Sequence, residues 1–295
     1  MKLTLRGWCC VGLLFYGMSP GRAQQPPPNQ APPPPSPTLP KPPAPPPLPP
    51  RPPDVKMPDE GTISVGVSGW ILTGQPIFDS GTLSASSETS HLRMPGKPGL
   101  GRGANLSLPA GGHNALKISY FDTKADGTFT VPIPLNFWSI PFSPGDVTST
   151  YYRIESFKVS YEFVSWPFPI GSRRIRVKTL YQAQLVRMST DFTSPLSVTA
   201  TSPGAGSKTV ILPTLGMGIS DYISRYLRFD ANASGFEIPH HGAIGDVNAS
   251  ISYRISKFEV QGGARLYYFK TSTNSDFYMK GLMGGPFVGV KFYLD

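Results

Sequence analysis

Long segments in which polar and apolar residues alternate, connections that switch between long and short, and aromatic rings gathered at segment ends predict an all-β fold. The expected architecture is an antiparallel up-and-down transmembrane β-barrel of about ten strands, within a range of about eight to twelve. A disordered proline-rich segment precedes it.

The chain opens with Lys2 and Arg6, then an apolar run from Trp8 to Met18 and the small-residue stretch Gly21-Arg22-Ala23. That order of basic start, short apolar core and small residues is a secretory signal, too short to span a bilayer as a helix, with cleavage expected after Ala23. Both cysteines, Cys9 and Cys10, fall inside it, so the mature chain is expected to hold no thiol, no disulfide and no Cys-based metal or catalytic site. Trp8 before Cys9 argues against a lipoprotein cleavage site.

Residues 24–60 form the second expected unit, a proline-rich disordered tether. More than half of the 35 prolines lie between Pro26 and Pro58. Proline lacks the amide donor that helices and sheets need and fixes φ, so the tract should run as solvated polyproline II, about 3 Å per residue. PxxP matches such as Pro37-Thr38-Leu39-Pro40 are better read as spacer than as ligand.

Residues 61–295 are the third unit, the barrel. Arg174, Arg176, Lys178, Gln182 and Gln184 alternate with Ile175, Val177, Tyr181, Ala183 and Leu185, a period of two that belongs to a strand with one basic and one apolar face. The same reading holds for Ser156 to Phe163, Val247 to Ser256, Phe258 to Tyr268, Leu227 to Ala233 and Leu116 to Tyr120. Ten strands are expected near 62–72, 101–108, 114–123, 148–164, 173–189, 209–220, 225–235, 245–256, 258–271 and 277–294.

A soluble sandwich also alternates, and three features decide against it. The gaps at 73–100, 124–147, 190–208 and 236–244 are long or irregular, with a short tip at 272–276 on the same side, whereas 109–113, 165–172, 221–224 and Lys257 are tight, which is the outer-membrane arrangement. Several strands exceed the length usual in soluble sheets. Tyr151, Tyr152, Trp166, Phe168, Tyr268 and Phe292 stand near strand ends, where amphipathic rings favour the bilayer interface.

On these grounds the body resembles small bacterial outer-membrane barrels, such as the transmembrane domains of outer-membrane protein A or W. The final stretch, Gly285 to Asp295, looks like the closing strand that barrel-assembly machinery recognises, although it ends on Leu294-Asp295 rather than on an aromatic ring. The resemblance implies residence in the bacterial outer membrane, contact with its lipid, and both barrel ends on the periplasmic side. The tether then lies in the periplasm, open to a partner there.

The polar face should line the lumen. It carries Lys117, Lys158, Arg174, Arg176, Lys178, Arg228, Arg254, Arg265 and Lys291 against Glu162, Asp230 and Glu259, within a chain of net charge +9. Either these groups form an ion-paired plug, or a continuous water path exists and the basic surplus favours anions. Nucleic acid is not an expected partner in this compartment. No cofactor or metal is expected: His240 and His241 are adjacent, so on a strand they would point to opposite faces. No histidine is followed two residues later by serine, and no Gly-x-Ser-x-Gly elbow occurs. A barrel enzyme acting at the outer rim would have to use Asp122, Asp126, Glu237 and His240, whose spacing is not diagnostic. The expected role is structural or surface-interacting and non-enzymatic, with a small anion-favouring pore and a rim enzyme as the alternatives.

Overall fold

The structure is a computed structural model that describes residues 57, 59–80, 90–96, 98–132, 135–138, 140–168, 174–194, 204–272 and 277–294. The expected signal peptide and nearly all of the proline tract lie outside the described residues, as do the side chains of Trp166 and Phe168.

Fourteen strands occur among the described residues: β1 Ile63–Ile71, β2 Ile77–Ser80, β3 Ser90–Arg93, β4 Leu100–Pro109, β5 Ala115–Thr130, β6 Leu135–Phe137, β7 Ile140–Phe142, β8 Val147–Phe168, β9 Ile175–Thr193, β10 Gly204–Tyr222, β11 Leu227–Ile238, β12 Gly242–Ile255, β13 Phe258–Lys270 and β14 Phe277–Leu294. Ten of them, β1, β4, β5 and β8 to β14, pair antiparallel with sequence neighbours. The ring closes where β14 returns to β1, in register from Ile63 opposite Leu294 to Trp70 opposite Phe287. Closure leaves no strand edge exposed to lipid, the condition a sheet must meet to span a bilayer.

Near the far end of β1 the sheet splits. Thr73 and Gly284 exchange backbone hydrogen bonds of 2.7 and 3.0 Å, and the end of β14 then pairs with the β2–β3 hairpin instead. Gly285 sits at this fork with φ 156°, where a Cβ would collide with the carbonyl oxygen of Ile71, so only glycine fits.

The ten expected strands are all present, but the expected loops are shorter than the sequence suggested. The gap at 124–147 begins as strand, because β5 runs on to Thr130, and it encloses the β6–β7 hairpin. The gap at 236–244 is a three-residue turn, Pro239-His240-His241, with His240 at positive φ. The strands β5, β8, β9 and β10, of 16, 22, 19 and 19 residues, overshoot the roughly 9–11 that cross a bilayer. Their extra length lies on the long-connection side.

The outer face shows where the bilayer ends. On β9 the outward residues are Val177, Thr179, Tyr181, Ala183 and Leu185, followed by Arg187, Ser189, Asp191 and Thr193. On β8 they are Phe163, Tyr161, Val159 and Phe157, followed by Glu155 and Arg153. On β5 they are Leu116, Ile118 and Tyr120, followed by Asp122, Lys124 and Asp126. Each of these three strands is apolar outward over one stretch and carries charged outward residues beyond it.

Candidate functional site

The lumen has two halves. In the short-turn half, inward positions of adjacent strands bring opposite charges together. Glu162 on β8 takes Lys117 of β5 at 2.8 Å and Lys178 of β9 at 3.4 Å. Glu259 on β13 accepts from Arg228 at 2.9 Å, Lys291 at 3.1 Å and the Tyr293 hydroxyl at 2.7 Å, and is 2% exposed. Asp230 accepts from Arg228 Nε at 2.6 Å and lies 3.8 Å from Lys178. Asp246, 1% exposed, takes both nitrogens of a forked Arg265 bond, at 2.9 and 2.8 Å, and Lys158 at 2.7 Å. Lys158 is on β8 and Asp246 on β12, four strands round the ring, so that pair crosses the lumen. The Gln184 amide reaches the Tyr267 hydroxyl at 3.1 Å across the same span.

Arg265 also faces three rings, with its guanidinium carbon 5.1 Å from the Trp70 centroid, 4.7 Å from Phe121 and 5.5 Å from Tyr267. Buried charges persist only when paired and hydrogen-bonded, and a cation facing aromatic rings gains further. Between these groups lies a cavity of roughly 250 Å³ whose walls include Asn105, Gln182, Asn232, Asn248, Ser250 and Gln261.

The long-connection half is packed with apolar side chains. Tyr152, Ile154, Met188, Phe192, Tyr267, Met279 and Met283 are all fully or almost fully buried there, joined by Met94 and by Phe142 of β7. Phe121 meets Trp70 and Tyr267 edge-on, with centroids 5.6 and 5.1 Å apart. Trp138, from the β6–β7 turn, donates to Thr190 Oγ1 at 2.9 Å and packs on this cluster.

Two of the expected lumen cations differ in place. Arg174 is exposed at the rim and paired with Asp221. Arg254 is at the mouth, 3.9 Å over the Tyr293 ring. Among the expected interface rings, Tyr152 is 0% exposed and faces inward, which corrects its assignment to the bilayer surface. Tyr268 and Phe292 are on the outer face, each 37% exposed, and Tyr151 is half-buried.

Three carboxylates of the site were not among the expected residues. Asp246 continues the inward set Asn248, Ser250, Ser252 by one more step of two, so its parity was readable. Asp59 and Glu60 precede β1 and were assigned to the tether; nothing in their spacing marks them as lumen groups. With these three included, Lys117, Lys158, Arg176, Lys178, Arg228, Arg265 and Lys291 face Asp59, Glu60, Glu162, Asp230, Asp246 and Glu259. The expected surplus, nine cations less three carboxylates, shrinks from six to one, seven less six.

The residues considered for rim chemistry fall into two separated pairs, Asp122 with Asp126 on β5 and Glu237 with His240 at the end of β11. Asp122 points outward on β5 and holds Arg153, whereas His240 is exposed on the turn between β11 and β12, nearly across the ring. No cluster of three His, Cys, Asp or Glu suited to a metal occurs among the described residues.

No family model and no curated protein matches the chain. Among solved structures, it is similar to the outer membrane protease OmpT from Escherichia coli, with 9% identity and TM-score 0.52 over 80% of this chain and 98% of that one. Matches are also found with the translocator domain of the autotransporter NalP from Neisseria meningitidis, at 11% identity and TM-score 0.42 over 79% and 89% of the two chains. Ail of Yersinia pestis matches at 9% identity and TM-score 0.35 over 80% and 99%. The chain has the fold of the bacterial outer-membrane β-barrels, with ten antiparallel strands closed by β1 against β14.

Proposed function

We propose that this chain is a closed, non-enzymatic barrel of the bacterial outer membrane that anchors a periplasmic proline-rich tether and presents its long connections at the cell surface. The observation that carries this reading is the filling of the long-connection half. Side chains such as Ile154, Met188 and Phe192 on β8 and β9 and Met283 on β14 are 0% exposed, which supports a lumen packed shut at this level. An anion-favouring pore would need both a path and a net positive lining, and the lining is close to neutral. A rim enzyme would need an acid–base group that gathers at one point, and Asp122 and His240 sit on distant walls. Lipid covers the apolar outer band, and β14, the strand that closes the ring against β1, is the segment offered to barrel-assembly machinery. A periplasmic partner of the tether completes the anchoring role.

Purified, detergent-folded protein placed in a planar bilayer should give no conductance steps; discrete steps would overturn the closed-barrel reading. Orientation has a separate test. An epitope inserted in the tether should resist protease in intact cells and be cut once the outer membrane is permeabilised. Cleavage in intact cells would put the tether outside and remove the anchoring role.

A further inference from the structure

The short-turn mouth is closed by the segment that joins the tether to the first strand. Residues 59–61 form a turn, with the Glu60 amide donating to the Met57 carbonyl at 3.0 Å and Thr62 Oγ1 to the Asp59 carbonyl at 3.2 Å. The turn aims two successive carboxylates into the lumen. Asp59 accepts from Arg228 Nη1 and from the Tyr222 hydroxyl. Glu60 accepts from Arg176 Nε at 3.0 Å and the Met57 amide at 2.8 Å, and pairs with His113 Nδ1 of the β4–β5 turn at 2.6 Å. Both Glu60 and Arg176 are almost fully buried, with side chains 7% and 4% exposed.

Asp59 and Arg228 line the 250 Å³ cavity on one side and a small recess on the other, together with Tyr222, Arg225 and Tyr226. The Asp59–Arg228 pair is therefore the partition between the inner cavity and the mouth. Among its described residues the segment carrying it forms no strand pairing and adds nothing to the buried apolar core. Charge-assisted hydrogen bonds hold it in place of apolar packing, so neutralising its two carboxylates removes what keeps it seated. In sequence it stands between the proline tract and β1.

We propose that residues 59–62 are a latch, and that its release opens the inner cavity from the short-turn side to small anions. Without Asp59 and Glu60, seven lumen cations face four carboxylates rather than six, so the opened cup carries a surplus of three, seven less four. Anions bearing carboxylate, phosphate or sulfonate groups suit guanidinium donors of this kind. The apolar packing of the other half stays in place, so the opened lumen is a blind cup and not a channel. This holds whether or not the barrel serves as an anchor.

The test uses the full chain with Cys9 and Cys10 replaced by Ser and a reporter, Ser250→Cys, on the cavity wall. The reporter is treated with a sulfonate-bearing methanethiosulfonate and with its trimethylammonium counterpart. With the latch intact both should react slowly. In the Asp59→Asn/Glu60→Gln variant the anionic reagent should react about ten-fold faster or more, a change in open population that the loss of one charge-assisted hydrogen bond would produce. The cationic reagent should gain less. Equal rates with and without the latch would overturn the latch, and a larger gain for the cationic reagent would overturn the anion cup. If the double variant fails to show heat-modifiable gel mobility, Asp59→Asn alone should accelerate the anionic reagent by about three-fold, and no acceleration refutes the proposal. Planar-bilayer recording of the same variants separates this from the closed-barrel reading. A latch variant that labels fast yet passes no current supports both, whereas conductance with the latch intact defeats the closed barrel alone.

Discussion

The two halves of the lumen are built from the same strands by opposite rules. In the short-turn half a strand such as β9 turns Arg176, Lys178, Gln182 and Gln184 inward and Val177, Tyr181 and Leu185 outward. A few residues on, it turns Val186, Met188 and Phe192 inward and Arg187 and Asp191 outward. The backbone keeps its period of two throughout; what changes is the solvent. Within the bilayer, lipid is the apolar phase and the polar groups retreat to the interior, where they must pair. Beyond it water surrounds the strands, and the apolar groups retreat instead, as in a soluble core. One closed sheet thus contains an inside-out protein and an ordinary one, joined end to end.

The two interiors should fail differently. The largest effect is expected at Glu259, which Arg228, Lys291 and Tyr293 share as an acceptor. Glu259→Ala leaves buried cations uncompensated and should cost about 3–5 kcal/mol. Urea unfolding of the protein in lipid vesicles measures it, and a loss below about 1 kcal/mol would mean that water already screens this half. Phe121→Ala, in the other half, removes a ring that meets Trp70, Tyr267 and Arg265 and should cost about 3 kcal/mol through the cavity it leaves. Raising salt should weaken neither interior much, because both are shielded from the bulk ionic atmosphere; a strong salt dependence in Glu259→Ala alone would show that ions enter the ion-paired half.

The strand count and order were legible because alternation survives every tertiary detail, and each of the ten strands begins within about five residues of its expected start, although β5 runs seven residues past its expected end. The polar lining was legible for the same reason. Tyr152 was misplaced because nearness to a strand end does not set direction; the period of two gives it the inward parity of Ser156. A second signal is the point on each strand where the apolar residues change sides at the bilayer edge. Apolar neighbours touch at Tyr120-Phe121, Leu185-Val186 and Leu266-Tyr267, and in each pair the first residue faces outward and the second inward. Asp59 and Glu60 were illegible for another reason. They belong to no periodic element, and only the folded ring brings Arg176, Arg228 and His113, more than fifty residues away in sequence, to meet them.

The phase change itself gives the finest test, since it assigns opposite outcomes to two outward positions on neighbouring strands. Leu215 on β10 is 55% exposed and lies within the apolar band, so Leu215→Arg sets a charge in lipid and should cost about 2 kcal/mol or more. Arg187 on β9 is outward but beyond the band, where water already solvates it. Arg187→Leu should therefore change stability by no more than about 0.5 kcal/mol. Both are read by urea unfolding in the same vesicles. If Arg187→Leu instead stabilised the protein by as much as Leu215→Arg destabilised it, lipid would reach that level of the strand. The long-connection half would then be a membrane interior with an apolar filling, and the division between the two halves would have to be drawn elsewhere.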